Sequence, residues 1–156
     1  MTRTPSVVFV CWGNICRSPM AERVARKYLD DAGVEAVVTS AGVSDEEGPA
    51  PMDRRARAVL ERAGYDASGH TAHQIDAEEI DAADLVIAAE PMHIQAMRRL
   101  SPVADNLRLI SDFDPSKKPG TPLPDPWYGP DSQFVATLRA IEAAMPGIVD
   151  AVRDLA

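Results

Sequence analysis

The chain has 156 residues, of which 46% are hydrophobic and 26% are charged. This length suits one domain with a packed core, and the composition excludes a disordered or collagen-like chain. The formal charge of −8 disfavours a nucleic-acid partner. The sequence contains no run of about 18 apolar residues, so insertion into a membrane is not expected. We therefore expect a single domain over residues 1–156, located in the cytoplasm as a monomer or weak dimer.

Short apolar runs alternate with segments of helical period along the chain. Strands are predicted at residues 6–10, ending at Cys11, and at residues 35–40, 85–89 and 107–110. Helices are predicted from Ser18 as N-cap with Pro19 in the first turn, at residues 52–63 and 91–100, and from Asp131 to the C-terminus. The Pro146-Gly147 pair is expected to kink or break the last helix.

This alternation indicates an α/β fold, with a four-stranded, doubly wound parallel sheet flanked by helices. Ligands of such sheets bind beyond the carboxyl ends of the strands, where Cys11 stands. Residues 111–130 hold six of the 13 prolines and are predicted to lack regular structure. Because a long irregular segment in a compact domain is usually functional, this late loop is a second candidate part of the site.

Residues 11–18 read Cys-Trp-Gly-Asn-Ile-Cys-Arg-Ser and join the first strand to the first helix. Backbone N–H groups of such a loop can converge on an anion, the helix N-terminus adds positive potential, and Arg17 offers a planar fork to two oxygens. A thiol in this positive field is expected to exist as the nucleophilic thiolate. The pattern therefore predicts a phosphate-binding loop after the first strand, with phosphoryl transfer to Cys11.

The octet and its surroundings resemble the low-molecular-weight protein tyrosine phosphatase family. The matching positions of its motif are Cys11, Gly13, Asn14, Ile15, Cys16, Arg17, Ser18, Pro19, Ala21 and Glu22. Further matches follow in family order at residues 39–42, 53–55 and 64–65, at His70 and at Asp125-Pro126. The resemblance thus covers nearly the whole chain, and it implies a phosphatase that hydrolyses phosphotyrosine through a cysteinyl-phosphate intermediate.

The resemblance also assigns catalytic roles to four residues. It implies that Cys11 attacks phosphorus, that Arg17 holds the phosphoryl oxygens, and that Ser18 donates to the Cys11 sulfur. Asp125 is implied to be the general acid and then the general base. From the residues alone, Asp125 competes for this role with its neighbours Asp112, Asp114 and Asp131.

Other residues are expected to shape the site. By resemblance, Asn14 adopts a left-handed conformation held by Ser40 and His70, and Glu22 pairs with His70. The phosphate is expected on Gly13, Asn14, Ile15 and Cys16. Trp12, Trp127 and Tyr128 are expected to form the walls of a slot for a flat aryl phosphate. Residues 43–48, where the family commonly has an aromatic wall residue, instead carry three acids that either favour basic peptides or form a solvated turn.

Alternative functions remain open from the sequence. A protein-arginine phosphatase shares the loop, although Ile15 stands where those enzymes have Thr, and a non-catalytic phosphate-binding module could use the same cradle. An arsenate reductase would need cysteines after Cys16, and the sequence has none. The expected partners are tyrosine-phosphorylated proteins, with no cofactor and no metal. The family also implies a reversible disulfide between Cys11 and Cys16 on oxidation.

Overall fold

The computed structural model describes residues 3–155 and has a four-stranded parallel sheet at its centre. The strands are β1 (Ser6–Cys11), β2 (Val37–Gly42), β3 (Leu85–Ala88) and β4 (Leu107–Leu109), in the spatial order β2-β1-β3-β4. β1 lies inside the sheet with five of its six residues buried, as expected for a strand covered on both faces.

Helices cover both faces of this sheet. They are α1 (Arg17–Asp31), α2 (Arg54–Arg62), α3 (Ala77–Ala82), α4 (Pro91–Leu100) and α5 (Asp131–Leu155), with a short 3-10 helix at Ile110–Phe113. One core packs Val7 and Phe9 of β1 against α1, α2 and α5, and the other packs Val8 and Val10 against α3 and α4. Alternate residues of β1 thus enter different cores, and the predicted doubly wound fold is confirmed. None of the helices within residues 3–155 is long and apolar enough to cross a bilayer.

The loop after β1 lies at the switch point of the sheet. β1 pairs with β2 on one side, up to Cys11 opposite Gly42, and with β3 on the other side. Because the chain order reverses on either side of β1, the connections from neighbouring strands diverge there and leave a crevice. Cys11 ends β1 at this crevice.

Several element bounds differ from those predicted. β2 begins two residues later and ends two residues later than residues 35–40, and α2 is shorter at both ends than residues 52–63. α3 was missed because only one of its six residues, Ile80, is buried, so its apolar periodicity is weak. Its N-cap was readable, since the Asp76 side chain accepts from the Glu79 backbone N–H at 2.8 Å.

The break predicted in the last helix does not occur, since α5 runs through Pro146 to Leu155; Ala156 lies outside the described residues. A proline inside a helix costs about 3 kcal/mol, but Pro146 lies on the exposed face while Met145 and Ile148 are fully buried. Burial of the apolar face offsets this cost. Gly147 is needed because a Cβ there would lie 2.4 Å from the Phe113 carbonyl oxygen of the 3-10 helix.

Candidate active site

The Cys11–Arg17 loop is tightly packed against the end of β2. A Cβ on Gly42 would lie 2.8 Å from the Trp12 carbonyl oxygen and 3.1 Å from the Asn14 nitrogen, so glycine is required at that position. Asn14 has φ of +60°, a left-handed conformation that asparagine adopts more readily than most residues. The loop therefore turns sharply at Asn14 and returns towards α1.

α1 begins at Arg17, with Cys16 in the N-cap position, so the predicted N-cap at Ser18 is wrong. Within residues 3–155 no side chain caps this helix end, and its first turn contains no acidic residue. The N-terminal N–H groups of α1 are thus left for a ligand, and they add positive potential at the mouth of the loop. Ser18 instead directs its hydroxyl into the site.

A chain of four hydrogen bonds leads from Glu22 to the Cys11 sulfur. The Ser40 hydroxyl lies 2.9 Å from Glu22 Oε1, and Asn14 Nδ2 lies 3.0 Å from Ser40 Oγ and 2.8 Å from Ser18 Oγ. A carboxylate only accepts and an amide nitrogen only donates, so both Ser40 and Ser18 accept from Asn14. The hydroxyl proton of Ser18 is therefore free to point at Cys11 Sγ, 3.0 Å away.

Two histidines complete the support of Asn14. His70 Nε2 lies 2.7 Å from the Asn14 carbonyl oxygen, and the His73 backbone N–H donates to Asn14 Oδ1 at 3.1 Å. Because a carbonyl only accepts, His70 carries a proton on Nε2. Burial lowers the pKa of His70, which favours its neutral form.

The pairing of Glu22 with His70 that the sequence suggested is wrong. Glu22 is 4% exposed, and it bonds Ser40 with one oxygen and Arg23 Nε with the other at 2.6 Å. Arg26 adds a second cation at 3.4 Å from the same carboxylate. These arginines neutralise the buried charge, so Glu22 supports the loop through Ser40.

Arg17 is held from two sides beneath the late loop. Its side chain is 4% exposed, with Nη1 donating to the Leu123 carbonyl at 2.7 Å and Nη2 lying 2.7 Å from Glu90 Oε2. Asp125 Oδ2 lies 3.7 Å from the same Nη2. The three contacts bring the end of β3 and the late loop to the guanidinium, and they fix its plane.

The backbone at Glu90 is held by a buried histidine. The Glu90 backbone N–H donates to His93 Nδ1 at 3.2 Å, at the start of α4. Burial, and next the nearby Arg17 charge, lower the pKa of His93 to about 4. His93 is therefore neutral at pH 7, and its free lone pair on Nδ1 can accept this bond.

These residues surround a cavity of about 240 Å³ above Cys11. Cys11, Cys16 and Arg17 lie at its base with Gly13 and Ile15, and Asp125 reaches it with a side chain that is 52% exposed. Its lining is completed by Trp12, Glu46 and Glu47 and by Trp127 and Tyr128 of the late loop. A larger surface depression near the far end of α1 is not lined by either cysteine, so it offers no thiol nucleophile.

The late loop is fastened to the rest of the site by Arg55. Its Nη1 donates to the Trp127 carbonyl at 3.1 Å, and its guanidinium lies 5.3 Å from the Trp127 ring centroid and 4.6 Å from that of Phe134. Asp53 accepts from Arg55, and the Asp53 backbone N–H donates to the Ile15 carbonyl at 2.8 Å. Arg55 thus connects the Asp125 loop to the phosphate loop through α2.

The two thiols of the loop have different surroundings. Both are free and buried. Burial, and next the charge of Asp53, raise the pKa of the Cys16 thiol, so Cys16 is protonated at neutral pH. Cys11 is the thiol with a hydroxyl donor at 3.0 Å, which favours Cys11 as the nucleophile of the pair.

The sequence reasoning missed Glu90 and Arg55 as parts of the site. Glu90 lies two residues after the end of β3, so a charged residue at the carboxyl end of a parallel strand was a readable signal. Arg55 lies in the 53–55 segment that matches the family, but this match did not indicate its role, because its contacts join α2 to a loop 72 residues later.

Comparisons with known proteins agree with this geometry. Residues 6–155 match the family model described as low molecular weight phosphotyrosine protein phosphatase. A low molecular weight protein-tyrosine-phosphatase of Streptomyces coelicolor is 41% identical, with 97% of this chain and 95% of the relative covered. Low molecular weight protein-tyrosine phosphatase A of Mycobacterium tuberculosis is also 41% identical, over 95% of this chain and 91% of the relative.

A solved structure extends the similarity to the backbone. The crystal structure of YfkJ from Bacillus subtilis superposes with a TM-score of 0.90 at 26% identity, covering 97% of this chain and 96% of that one. The sheet order, the loop after β1 and the sequence matches all point to the same group of proteins. This chain therefore belongs to the low molecular weight phosphotyrosine protein phosphatase family.

Proposed function

We propose that this protein hydrolyses phosphotyrosine in proteins, with Cys11 as nucleophile, Arg17 as the phosphoryl-binding side chain and Asp125 as general acid and base. The observation that carries the proposal is the presence in one cavity of a thiol 3.0 Å from a hydroxyl donor and of a buried guanidinium that lies 3.7 Å from a carboxylate. These groups are a nucleophile, an oxyanion clamp and a proton donor.

In the first step the Cys11 thiolate attacks phosphorus, and the bond from phosphorus to the tyrosine oxygen breaks. The leaving oxygen takes its proton from Asp125, so tyrosine departs as the neutral phenol. Arg17 and the N–H groups of the loop stabilise the charge on the three equatorial oxygens. The Ser18 hydroxyl stabilises the thiolate before attack.

In the second step a water molecule attacks the cysteinyl phosphate from the side that tyrosine vacated. Asp125, now ionised, takes a proton from this water, and the bond from phosphorus to sulfur breaks. The products are inorganic phosphate and the Cys11 thiolate, which Ser18 again stabilises through the bond that Asn14, Ser40 and Glu22 direct.

The cavity favours an aryl phosphate. The lining of this cavity combines the rings of Trp12, Trp127 and Tyr128 with Cys11, so a flat phosphotyrosine side chain can contact aromatic surface while its phosphate reaches the thiol. Gly13, Asn14, Ile15 and Cys16 would surround the phosphate, and the bulk of Ile15 favours a phenolic ester over the branched phosphoguanidinium of arginine.

We further propose that the substrates are tyrosine-phosphorylated proteins of the cytoplasm and that the enzyme acts as one domain, as a monomer or weak dimer. Two free thiols in the described structure suit a reducing compartment. Sedimentation equilibrium between 1 and 100 μM, on the order of common assay and storage concentrations, tests the oligomeric state; a tight dimer throughout that range would contradict it.

The function is tested by phosphate release from a phosphotyrosine peptide and from a phosphoarginine substrate, in EDTA. We expect tyrosine-selective turnover that Cys11→Ser abolishes and Asp125→Asn strongly slows. Asp131→Asn is the matched control, because Asp131 is an exposed neighbouring acid at the start of α5. Arginine-selective turnover would contradict the proposed substrate, and phosphate binding without any turnover would indicate a binding module.

A further inference from the structure

Both the side chain and the backbone of Trp12 are hydrogen-bonded to the acidic segment after β2, residues 43–48. Its indole Nε1 donates to Glu46 Oε2 at 2.8 Å. Its carbonyl oxygen accepts from the Ser44 backbone N–H at 3.0 Å and from the Ser44 hydroxyl at 3.1 Å. The side chain is 43% exposed, so these bonds, rather than core packing, fix its orientation.

The same segment also packs on the phosphate loop. Gly13 faces the Glu47 side chain so closely that a Cβ on Gly13 would lie 3.1 Å from Glu47 Cγ. Glu46 and Glu47 line the same cavity as Trp12, Trp127 and Tyr128. The position of the Trp12 ring at this cavity therefore depends on the side chain of Glu46.

We propose that Glu46 is a specificity-determining positioning residue, whose carboxylate holds the Trp12 indole as one wall of the slot so that the site selects phosphate esters carrying a flat ring. The inference rests on the proposed phosphatase function. A wall that is already ordered saves the entropy of fixing an exposed side chain when the ligand stacks on it. Only the ring of a ligand gains from this wall, whereas the phosphate group contacts Arg17 and the loop.

The test compares two inhibitors that share the phosphoryl chemistry, inorganic phosphate and phenylphosphonate. We expect Glu46→Ala to raise the Ki of phenylphosphonate and the KM of a phosphotyrosine peptide by about three- to ten-fold, the size of one net hydrogen bond. The Ki of inorganic phosphate and kcat should stay within two-fold. Glu46→Gln should restore wild-type values, because its amide oxygen also accepts from the indole.

A double-variant cycle isolates the contact. Trp12→Phe keeps an aromatic ring but removes the N–H donor, so adding Glu46→Ala to it should cause no further change. Asp45→Asn is the charge control, since Asp45 is exposed in the same segment outside the cavity lining. We expect it to leave both Ki values unchanged.

Two results would overturn the proposal. One is an unchanged ratio of the two Ki values in Glu46→Ala, which would show that the wall does not depend on Glu46. The other is equal behaviour of Glu46→Gln and Glu46→Ala, with both binding phosphate more tightly, which would show that Glu46 acts only through its charge. If the wild type binds both inhibitors but turns over no substrate, the proposed function fails, and the ratio of the two dissociation constants, measured by calorimetry in place of Ki, still decides the role of Glu46.

Discussion

Replacing Glu90 tests how the site controls the orientation of Arg17. Glu90→Ala removes one of the two short contacts of a guanidinium that is 4% exposed, leaving the bond to the Leu123 carbonyl. A hydrogen bond to a charged group contributes about 1.5–3 kcal/mol. Breaking a fully buried ion pair costs about 3–5 kcal/mol, but the Glu90 side chain is 25% exposed and water compensates part of the loss.

Since about 1.4 kcal/mol corresponds to a factor of ten in rate, we expect Glu90→Ala to lower kcat/KM by about ten- to 100-fold. Glu90→Gln keeps a hydrogen-bond acceptor but loses the charge, so it should lower kcat/KM by only about three- to ten-fold. The assay is kcat/KM on a phosphotyrosine peptide, with urea unfolding to confirm that both variants fold. A folded Glu90→Ala variant within two-fold of wild type would refute the reasoning, as would tighter phosphate binding at unchanged kcat/KM.

Three further predictions concern neighbouring groups. Asp125→Asn should lower kcat for an alkyl-substituted phenyl phosphate by about 100-fold or more, because a poor leaving group needs the proton. The decrease in kcat for a nitrophenyl phosphate should be much smaller. Equal decreases on both substrates would exclude Asp125 as the acid. Arg55→Met should reduce kcat on the poor leaving group about three- to ten-fold by loosening the Asp125 loop, while Arg57→Met, on the exposed face of α2, should not; loss of phosphate affinity in Arg55→Met would contradict this. His93 has a folded-state pKa near 4 against about 6.5 when unfolded, so the unfolded chain binds more protons between these values and stability falls as pH decreases through this range. Urea unfolding should show that, between pH 7 and pH 4.5, the free energy of unfolding of His93→Asn falls by about 2 kcal/mol less than that of the wild type. Equal decreases in the two proteins would contradict neutral burial of His93.

The site was only partly readable from the sequence. The octet at residues 11–18 carries its own geometry, because glycine, a left-handed Asn14 and a following helix together build an anion cradle within eight residues. Glu90 and Arg55 act across 73 and 72 residues of chain, on Arg17 and on Trp127. No local pattern specifies such distant contacts, since they depend on how β3 and α2 are placed around β1.

The ends of the helices were predicted less accurately than the helices themselves. The apolar periods predicted α1 and α4 because buried side chains recur at three and four residues, whereas the N-cap at Ser18 was wrong because its hydroxyl bonds Asn14 and Cys11 instead. Pro146 predicted a break by its local chemistry, but the buried face of α5 continues on both sides of it. At Pro146 apolar burial along α5 thus outweighed a local preference, whereas at Ser18 the deciding bonds lie within the phosphate loop itself.

By itself, the sequence determined the four strands, four of the five α-helices and the identity of the phosphate loop, because hydrophobic period and loop chemistry are local properties. Only the tertiary structure decided which groups face Arg17, that Glu22 bonds Ser40 rather than His70, and that Glu46 holds Trp12. Those outcomes depend on which segments the parallel sheet brings to the carboxyl end of β1. Long-range packing sets these positions, and short-range sequence patterns do not encode them.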